Sequence, residues 1–395
     1  MKNLKYGIGN DIAKDKFDAC LSVIDELQKV TVKSQCSFKN DKAGFDKFVL
    51  WVSKNCKDTD VPVVFLMEAT GVYYEQLAWF LNQRNESISI VLPNKAKKYK
   101  EALGLKSKND RIDARGLAQM ACEQSFTVWK PLTDSLYMLR MVTRQIQRIA
   151  EQKTVVKNQL HALEHGMHRD LAIESMQLEQ LENLEKNKKI LEARVKLIVE
   201  EDEILKLKFE KITKIKGLGL LSLASIVAET NGFAAFENAA QLVSYAGYDV
   251  VENQSGNKSG KTKISKRGNS HIRRSLHFPA FNMITYKIIV FENLYERVYE
   301  KTRIKMKAYT AVQKKLLVVI YSLWKKDEAF EIDYQDKYST EVEPKLSLAS
   351  VSKKPVKNKL KTVKKTEKKE KVTLAKTKVT QDKHPSKNRR MPSLA

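Results

Sequence analysis

The sequence predicts an α/β domain, then a mainly helical region, then a basic tail. Three features predict it. Strand and helix signals alternate over residues 1–130. Apolar residues at helical spacing, with few breakers, then run on to about residue 331. Beyond residue 332 apolar residues thin out and lysine dominates.

In the first part, Tyr6–Asp11 and Phe17–Val23 read as the two strands of a hairpin. Val61–Met67 is a continuous apolar run of buried-strand length, and Ile88–Leu92 is another. Helical patterns fall at Gly44–Lys54, Tyr74–Gln83 and Arg111–Gln124, so residues 1–130 are expected to fold around a central sheet. Over 131–211 a seam steps by three and four through Leu139, Val142, Ile146, Ile149, Lys153, Val156, Leu160, Leu163 and Met167, with only Lys153 out of character. A second run covers Leu181, Leu184, Lys188, Leu191, Val195 and Ile198. The break near His168–Glu174 predicts a coiled-coil hairpin or dimer arm, with a bundle inside one chain as the alternative. Residues 212–331 read as a compact helical domain. It opens on a Gly217-Leu-Gly219 turn, which can offer backbone N–H groups to a phosphate or simply make a tight turn, and closes on the apolar helix Tyr309–Trp324.

The chain of 395 residues carries 72 Lys and Arg against 47 Asp and Glu, a net charge of +25. Between Lys345 and Ala395 stand 17 basic and 3 acidic residues, so the tail holds +14 of that charge and the rest stays basic without it. A tail of this composition cannot bury enough surface to fold and is expected to be disordered. It suits a polyanion, and lacking an amphipathic apolar face it favours nucleic acid over a membrane. The four cysteines, Cys20, Cys36, Cys56 and Cys122, form no CxxC pair, which excludes the common zinc ribbons and a disulfide framework. No apolar run reaches the ~18 residues of a membrane span, and a cytoplasmic, nucleoid-associated protein is expected. His161, His165 and His168 share a helical face, but without a cysteine nearby they read as surface residues rather than a metal site.

Four carboxylates stand out. Asp11 sits in an apolar strand, where a charge is costly unless compensated. Glu68 ends the buried run Val61–Met67, and Asp110 and Asp113 are spaced to project from one face of a helix start. The helix dipole alone is a competing explanation for the last two. If the four converge, divalent cations such as Mg²⁺ or Mn²⁺ would have to neutralise them, an arrangement suited to phosphodiester chemistry. Lys106, Lys108, Arg111 and Arg115 flank the acidic pair and could hold a DNA backbone against it. An early Asp followed by acids on later strands fits a ribonuclease H-like sheet.

The segment Gln254–Gly268 joins glycines, hydroxyls and the basic residues Lys258, Lys261, Lys263, Lys266 and Arg267, and runs on to Arg273 and Arg274. It lacks the GxxxxGK[ST] spacing of a nucleotide P-loop. Spacing alone favours a phosphate-contacting loop without a covalent role.

Together these motifs resemble the DEDD-type insertion-sequence transposases. The resemblance rests on Gly7-Ile-Gly-Asn-Asp11-Ile-Ala-Lys14, Met67-Glu68-Ala-Thr-Gly71 and Lys108-Asn-Asp110-Arg-Ile-Asp113-Ala-Arg115 in the first domain. In the last it rests on Ile215-Lys-Gly-Leu-Gly219, Tyr245-Ala-Gly247, Gln254-Ser255-Gly256 and Ile264-Ser-Lys-Arg-Gly268-Asn. It covers residues 4–326 in order. It implies a RuvC-like (ribonuclease H fold) domain over 1–130, a coiled coil over 131–211, a serine-bearing transposase domain over 212–331 and a tail over 332–395 outside the resemblance. It makes Asp11, Glu68, Asp110 and Asp113 ligands of Mg²⁺ or Mn²⁺ and Ser255 the nucleophile, through a transient 5′-phosphoserine. It implies donor and target DNA as substrates, a structured bridge RNA as guide, and a homodimer or homotetramer with composite sites. Asn10, and Gly247-Tyr-Asp-Val250 without a proline after the glycine, depart from the pattern; neither removes a proposed catalytic group. Ser259 lies in the same loop, and the Gln-Ser-Gly alignment selects Ser255. Two other readings use the same residues: a junction-resolving nuclease in which water attacks, and a non-enzymatic nucleic-acid-binding protein with structural acids.

Overall fold

The computed structural model describes residues 2–104, 109–251, 254–255, 258–260 and 263–331. The expected tail, with Lys106, Lys108 and Lys261, lies outside the described residues.

The N-terminal sheet is built from β1 (Asn3–Ile12), β2 (Lys16–Asp25) and β3 (Val30–Lys39), then α1 (Lys42–Asn55), β4 (Val63–Glu68), α2 (Glu75–Asn82), β5 (Ile88–Val91), α3 (Pro93–Ala102) and α4 (Asp110–Glu123). Its strand order is β3-β2-β1-β4-β5. The first three strands pair antiparallel, while β4 joins β1, and β5 joins β4, in parallel. This is a mixed α/β sheet, as the alternating strand and helix signals predict.

Alternation along the strands divides the domain into two packed layers. Tyr6, Ile8 and Ile12 of β1 face an aromatic core with Phe17, Phe38, Phe45, Phe48 and Phe65, in which Phe17 and Phe48 meet edge to face at 5.2 Å between centroids. The opposite face carries Gly7 and Gly9, and α4 lies on it.

One expectation is corrected here, and one strand was not expected. The strand expected from Val61 starts at Val63, because Pro62 has no N–H for the ladder; its carbonyl instead accepts from the Tyr6 N–H at 2.9 Å. Strand β3 alternates Val30, Val32, Cys36 and Phe38 with polar residues, but at the sheet edge only Phe38 is buried.

The helical part comprises α5 (Asp134–His165), α6 (Leu171–Glu201), α7 (Glu203–Ile212), α8 (Leu220–Glu229) and α9 (Ala239–Tyr245). The short strands β6 (Val250–Val251), β7 (Gln254–Ser255), β8 (Lys258–Ser259) and β9 (Lys263–Ile264) follow. Then come α10 (Ser270–Ser275), α11 (His277–Thr285), α12 (Ile289–Thr302) and α13 (Lys305–Lys326). Helices α5 and α6 pack along each other as a hairpin, turning after Gly166 and restarting at Asp170, whose side chain caps α6. Lys153, the one polar residue in the seam, is matched across the hairpin by Glu185. The base of the hairpin is built into the helical core, where Leu136, Leu139, Val195 and Ile198 pack with Phe209, Phe233, Leu316 and Ile320. Toward the turn the apolar seam opens to solvent, and Met167 is 95% exposed. Among the described residues no helix is long and apolar enough to cross a membrane.

Candidate active site

The acidic site begins with two glycines. An ideal Cβ on Gly9 would stand 2.2 Å from both the Ala114 carbonyl oxygen and the Ala118 nitrogen, and one on Gly7 would stand 2.5 Å from the Ala118 oxygen. Hydrogen at these positions lets the backbone of α4 rest on β1, with Ala114 and Ala118 completing the contact. Helix α4 starts where it does because Asn109 caps it, accepting from the Ile112 N–H at 2.8 Å. Its first turn therefore places Asp110 and Asp113 beside Asp11. Glu68 ends β4, one residue beyond the Asn10–Met67 pair of the parallel ladder.

The structure thus brings all four sequence-predicted carboxylates to one end of the sheet, and adds three residues that sequence reasoning missed. Lys100, in the last turn of α3, places its Nζ 2.8 Å from Asp113 Oδ1 and 3.6 Å from Glu68 Oε2, all three side chains being less than one-fifth exposed. Lys16 stands 3.3 Å from Asp18 Oδ2 and 3.4 Å from Asp110 Oδ2. Asp18 lies directly opposite Asp11 in the β1–β2 ladder, so the two share a face, and it accepts a hydrogen bond from the Ser37 hydroxyl. The signal for Asp18 was present as period-2 alternation of Lys16, Asp18 and Cys20. Lys100 was hidden among Lys95, Lys97 and Lys98.

The crowding has an electrostatic consequence. Burial pushes the Asp11 carboxyl up to about 6, the fields of Asp113 and Asp110 add to the rise, Lys100 opposes it, and Glu68 adds a little more. Thr70 donates to Glu68 at 3.1 Å. Arg111 and Arg115 lie exposed on the same helix.

Hard carboxylate oxygens with excess negative charge suit Mg²⁺ or Mn²⁺ as a donor set. As they stand, Glu68 and Asp113 are drawn onto Lys100 and Asp110 onto Lys16. Among the described residues no three His, Cys, Asp or Glu side chains close into a metal-binding group.

The second candidate region is the segment around Ser255. Strands β6 and β9 pair, and further out β7 and β8 pair with Ser255 opposite Lys258, so the Ser255 backbone lies in the outer pair of a narrow ribbon. Of Ser255 and Lys258 only the backbone course is described. The base of the ribbon is tightly built. A Cβ on Gly268 would stand 2.4 Å from the Tyr245 carbonyl oxygen, and Gly247 has φ +74°. Arg273, expected to bind nucleic acid, spends one guanidinium nitrogen on the carbonyls of Ala246 at 2.8 Å, Gly268 at 3.2 Å and Asn269 at 3.3 Å. Arg274 pairs with Glu151 on α5. Lys263, Lys266 and Arg267 are exposed at the base.

Sequence reasoning also missed the polar centre beneath this base. Glu229 ends the apolar helix α8 and is buried. It accepts from Arg144 Nε at 2.6 Å and Nη2 at 2.9 Å, and from Asn269 Nδ2 at 2.7 Å. Burial would raise its carboxyl, but the hydrogen bonds and charge of Arg144, with the Asn269 hydrogen bond, hold it below the usual range. Gly217, offered as a phosphate contact, has φ +95° and a packing reason: a Cβ there would meet the Asn282 Cβ at 2.7 Å. Gly219 caps α8 with open space before it.

Comparison with known proteins finds two matches along the chain. Residues 8–168 match the DEDD transposase model of the IS110 group. Residues 209–296 match the model described as "Transposase IS116/IS110/IS902 family". The chain is similar to the pilin gene-inverting protein of Moraxella lacunata, 25% identical over 83% of this chain and 98% of that one. It is also similar to the transposase for insertion sequence element IS1111A of Coxiella burnetii, 24% identical over 70% of this chain and 77% of that one. Among solved structures, T. thermophilus RuvC in complex with a Holliday junction substrate is 14% identical, covering 28% of this chain and 89% of that one with a TM-score of 0.22. The two transposase models thus match this chain in order, the first over the acid cluster and the second over the segment around Ser255.

Proposed function

We propose that the chain is a metal-assisted DNA recombinase of an insertion sequence that cuts and rejoins strands through Ser255. The observation that carries this reading is the convergence of Asp11, Glu68, Asp110 and Asp113 in the first matched domain of a chain whose second matched domain bears Ser255 in a ribbon of basic residues. Those four acids would hold Mg²⁺ or Mn²⁺, which would supply charge neutralisation at the scissile phosphate.

The Ser255 hydroxyl attacks the phosphorus, the P–O3′ bond breaks, and a 5′-phosphoserine and a free 3′-hydroxyl result. Attack by a 3′-hydroxyl from another strand reverses the step, so the bond energy is kept for rejoining. Lys263, Lys266 and Arg267 at the ribbon base, with Arg111 and Arg115 on α4, would grip the phosphate backbone. Sequence selection would come from a bridge RNA paired with donor and target DNA, the protein reading backbone and shape. The acids of one protomer and the serine of another would complete each site in a homodimer or homotetramer.

The test is strand exchange by the purified protein with Mg²⁺, the guide RNA and labelled element ends. Recombinant product that falls at least 100-fold in Asp11→Asn and in Glu68→Gln, with both variants folded, supports the reading. Product formation that survives both substitutions would overturn it.

A further inference from the structure

We propose that Lys100 is a built-in counter-cation of the acid cluster, which holds the carboxylates together before a divalent ion enters and competes with that ion for them. This rests on the reading of the four acids as a divalent-cation site.

The geometry that supports it is specific to one lysine. Helix α3 is fixed on the domain by Ala96, buried with Leu66 and Leu117, and by Tyr99, whose hydroxyl donates to Glu123 on α4. Lys100 is the next residue, so its stem leaves a helix that cannot easily shift. Its ammonium bridges an oxygen of Glu68 from β4 and one of Asp113 from α4, two elements that share no other recorded polar contact among the described residues. The neighbouring lysines go elsewhere: Lys95 lies over the Phe126 ring and Lys97 pairs with Glu101. The field of Lys100 also opposes the rise of the Asp11 carboxyl.

An ammonium satisfied by these oxygens and a small divalent ion that draws carboxylate oxygens to about 2.0–2.1 Å cannot share them. The two cations would repel each other across a half-buried site of low effective dielectric. Loading the ion therefore requires Lys100 to swing out, which its four-carbon stem permits. An arriving DNA phosphate offers the displaced ammonium a new partner, so ion loading and DNA binding become linked. Lys16 plays no equal part, because it is more than half exposed and holds the outer pair Asp18 and Asp110.

The experiment titrates Mn²⁺ into the full chain, read by the electron paramagnetic resonance of the free ion and by thermal unfolding. The proteins are wild type, Lys100→Met, Lys100→Arg and Asp11→Asn. Lys100→Met keeps the stem and removes the charge. It should bind Mn²⁺ at least tenfold more tightly than wild type, melt lower without the ion, and gain more from it. Lys100→Arg should stay near wild type. Lys100→Met binding no tighter than wild type, while Asp11→Asn abolishes binding, would overturn the proposal and leave the cation site standing. Absence of binding in wild type and Lys100→Met alike would overturn both.

Discussion

Asn269 Nδ2 lies 2.7 Å from Glu229 Oε2, so the residue that follows the Ser255 ribbon is tied to a buried carboxylate that Arg144 holds from α5. The ribbon base is thereby anchored to two long-range partners at once. Asn269 also caps α10, accepting from the His271 N–H at 2.9 Å, which fixes the direction of the chain leaving the ribbon.

Glu229→Ala removes the partner of Arg144 and Asn269 together. Because Arg144 is partly exposed, the cost is expected at the lower edge of a broken buried pair, about 3 kcal/mol. Urea unfolding measures it. A loss below about 0.5 kcal/mol would show that the network does not anchor the ribbon base.

Asp11 gives stability a pH dependence in the absence of divalent ions. Its folded pKa of about 6 lies above the ordinary 3.8, so the folded state holds the proton more tightly. The contribution is fully present below the ordinary value and is lost as pH rises through about 6. In EDTA, Asp11→Asn should therefore be more stable than wild type at pH 8, by up to about 3 kcal/mol, with the advantage shrinking as pH falls toward 4. Equal stabilities across that range would contradict the crowding argument.

Gly9→Ala should be among the most damaging single-methyl changes in the domain. The added carbon meets backbone of α4 at 2.2 Å, so the helix must lift off β1. A loss of about 3 kcal/mol is expected. The helix that would move carries Asp110 and Asp113, so Mn²⁺ binding should fall in parallel.

Asn10→Val should stabilise. Asn10 is fully buried on the face of β1 that packs the aromatic core, its Oδ1 has no partner, and its amide reaches only the Ile8 carbonyl at 3.5 Å. Removing an unsatisfied polar group in favour of an apolar one of similar volume should gain about 1–2 kcal/mol, read as a raised urea midpoint with unchanged slope.

The sequence made some of this architecture legible for physical reasons. Strands β1, β4 and β5 are buried and read as apolar runs, so Asp11 inside one and Glu68 at the end of another stood out as charges with something to explain. Strand β3 was missed although Val30, Val32, Cys36 and Phe38 alternate with polar residues, a faint pattern because an edge strand buries little, here only Phe38. Lys100 was invisible because one useful lysine among four on a short helix has no local signature; only the fold separates the inward one from Lys95, Lys97 and Lys98. Glu229 closes an apolar helix and has no local signature of a buried role. Its role depends on Arg144, 85 residues away. Lys153 is the converse, an anomaly in the seam that Glu185 accounts for.

The most direct test of the central claim is whether DNA becomes covalently attached to Ser255. Purified protein would be incubated with Mg²⁺, the guide RNA and end-labelled element DNA, then denatured and run on a gel, beside Ser255→Ala and Asp11→Asn. A labelled protein–DNA adduct in wild type that is lost in both variants is the predicted result. Cleaved DNA without an adduct, persisting in Ser255→Ala, would mean that water is the nucleophile and would contradict the account.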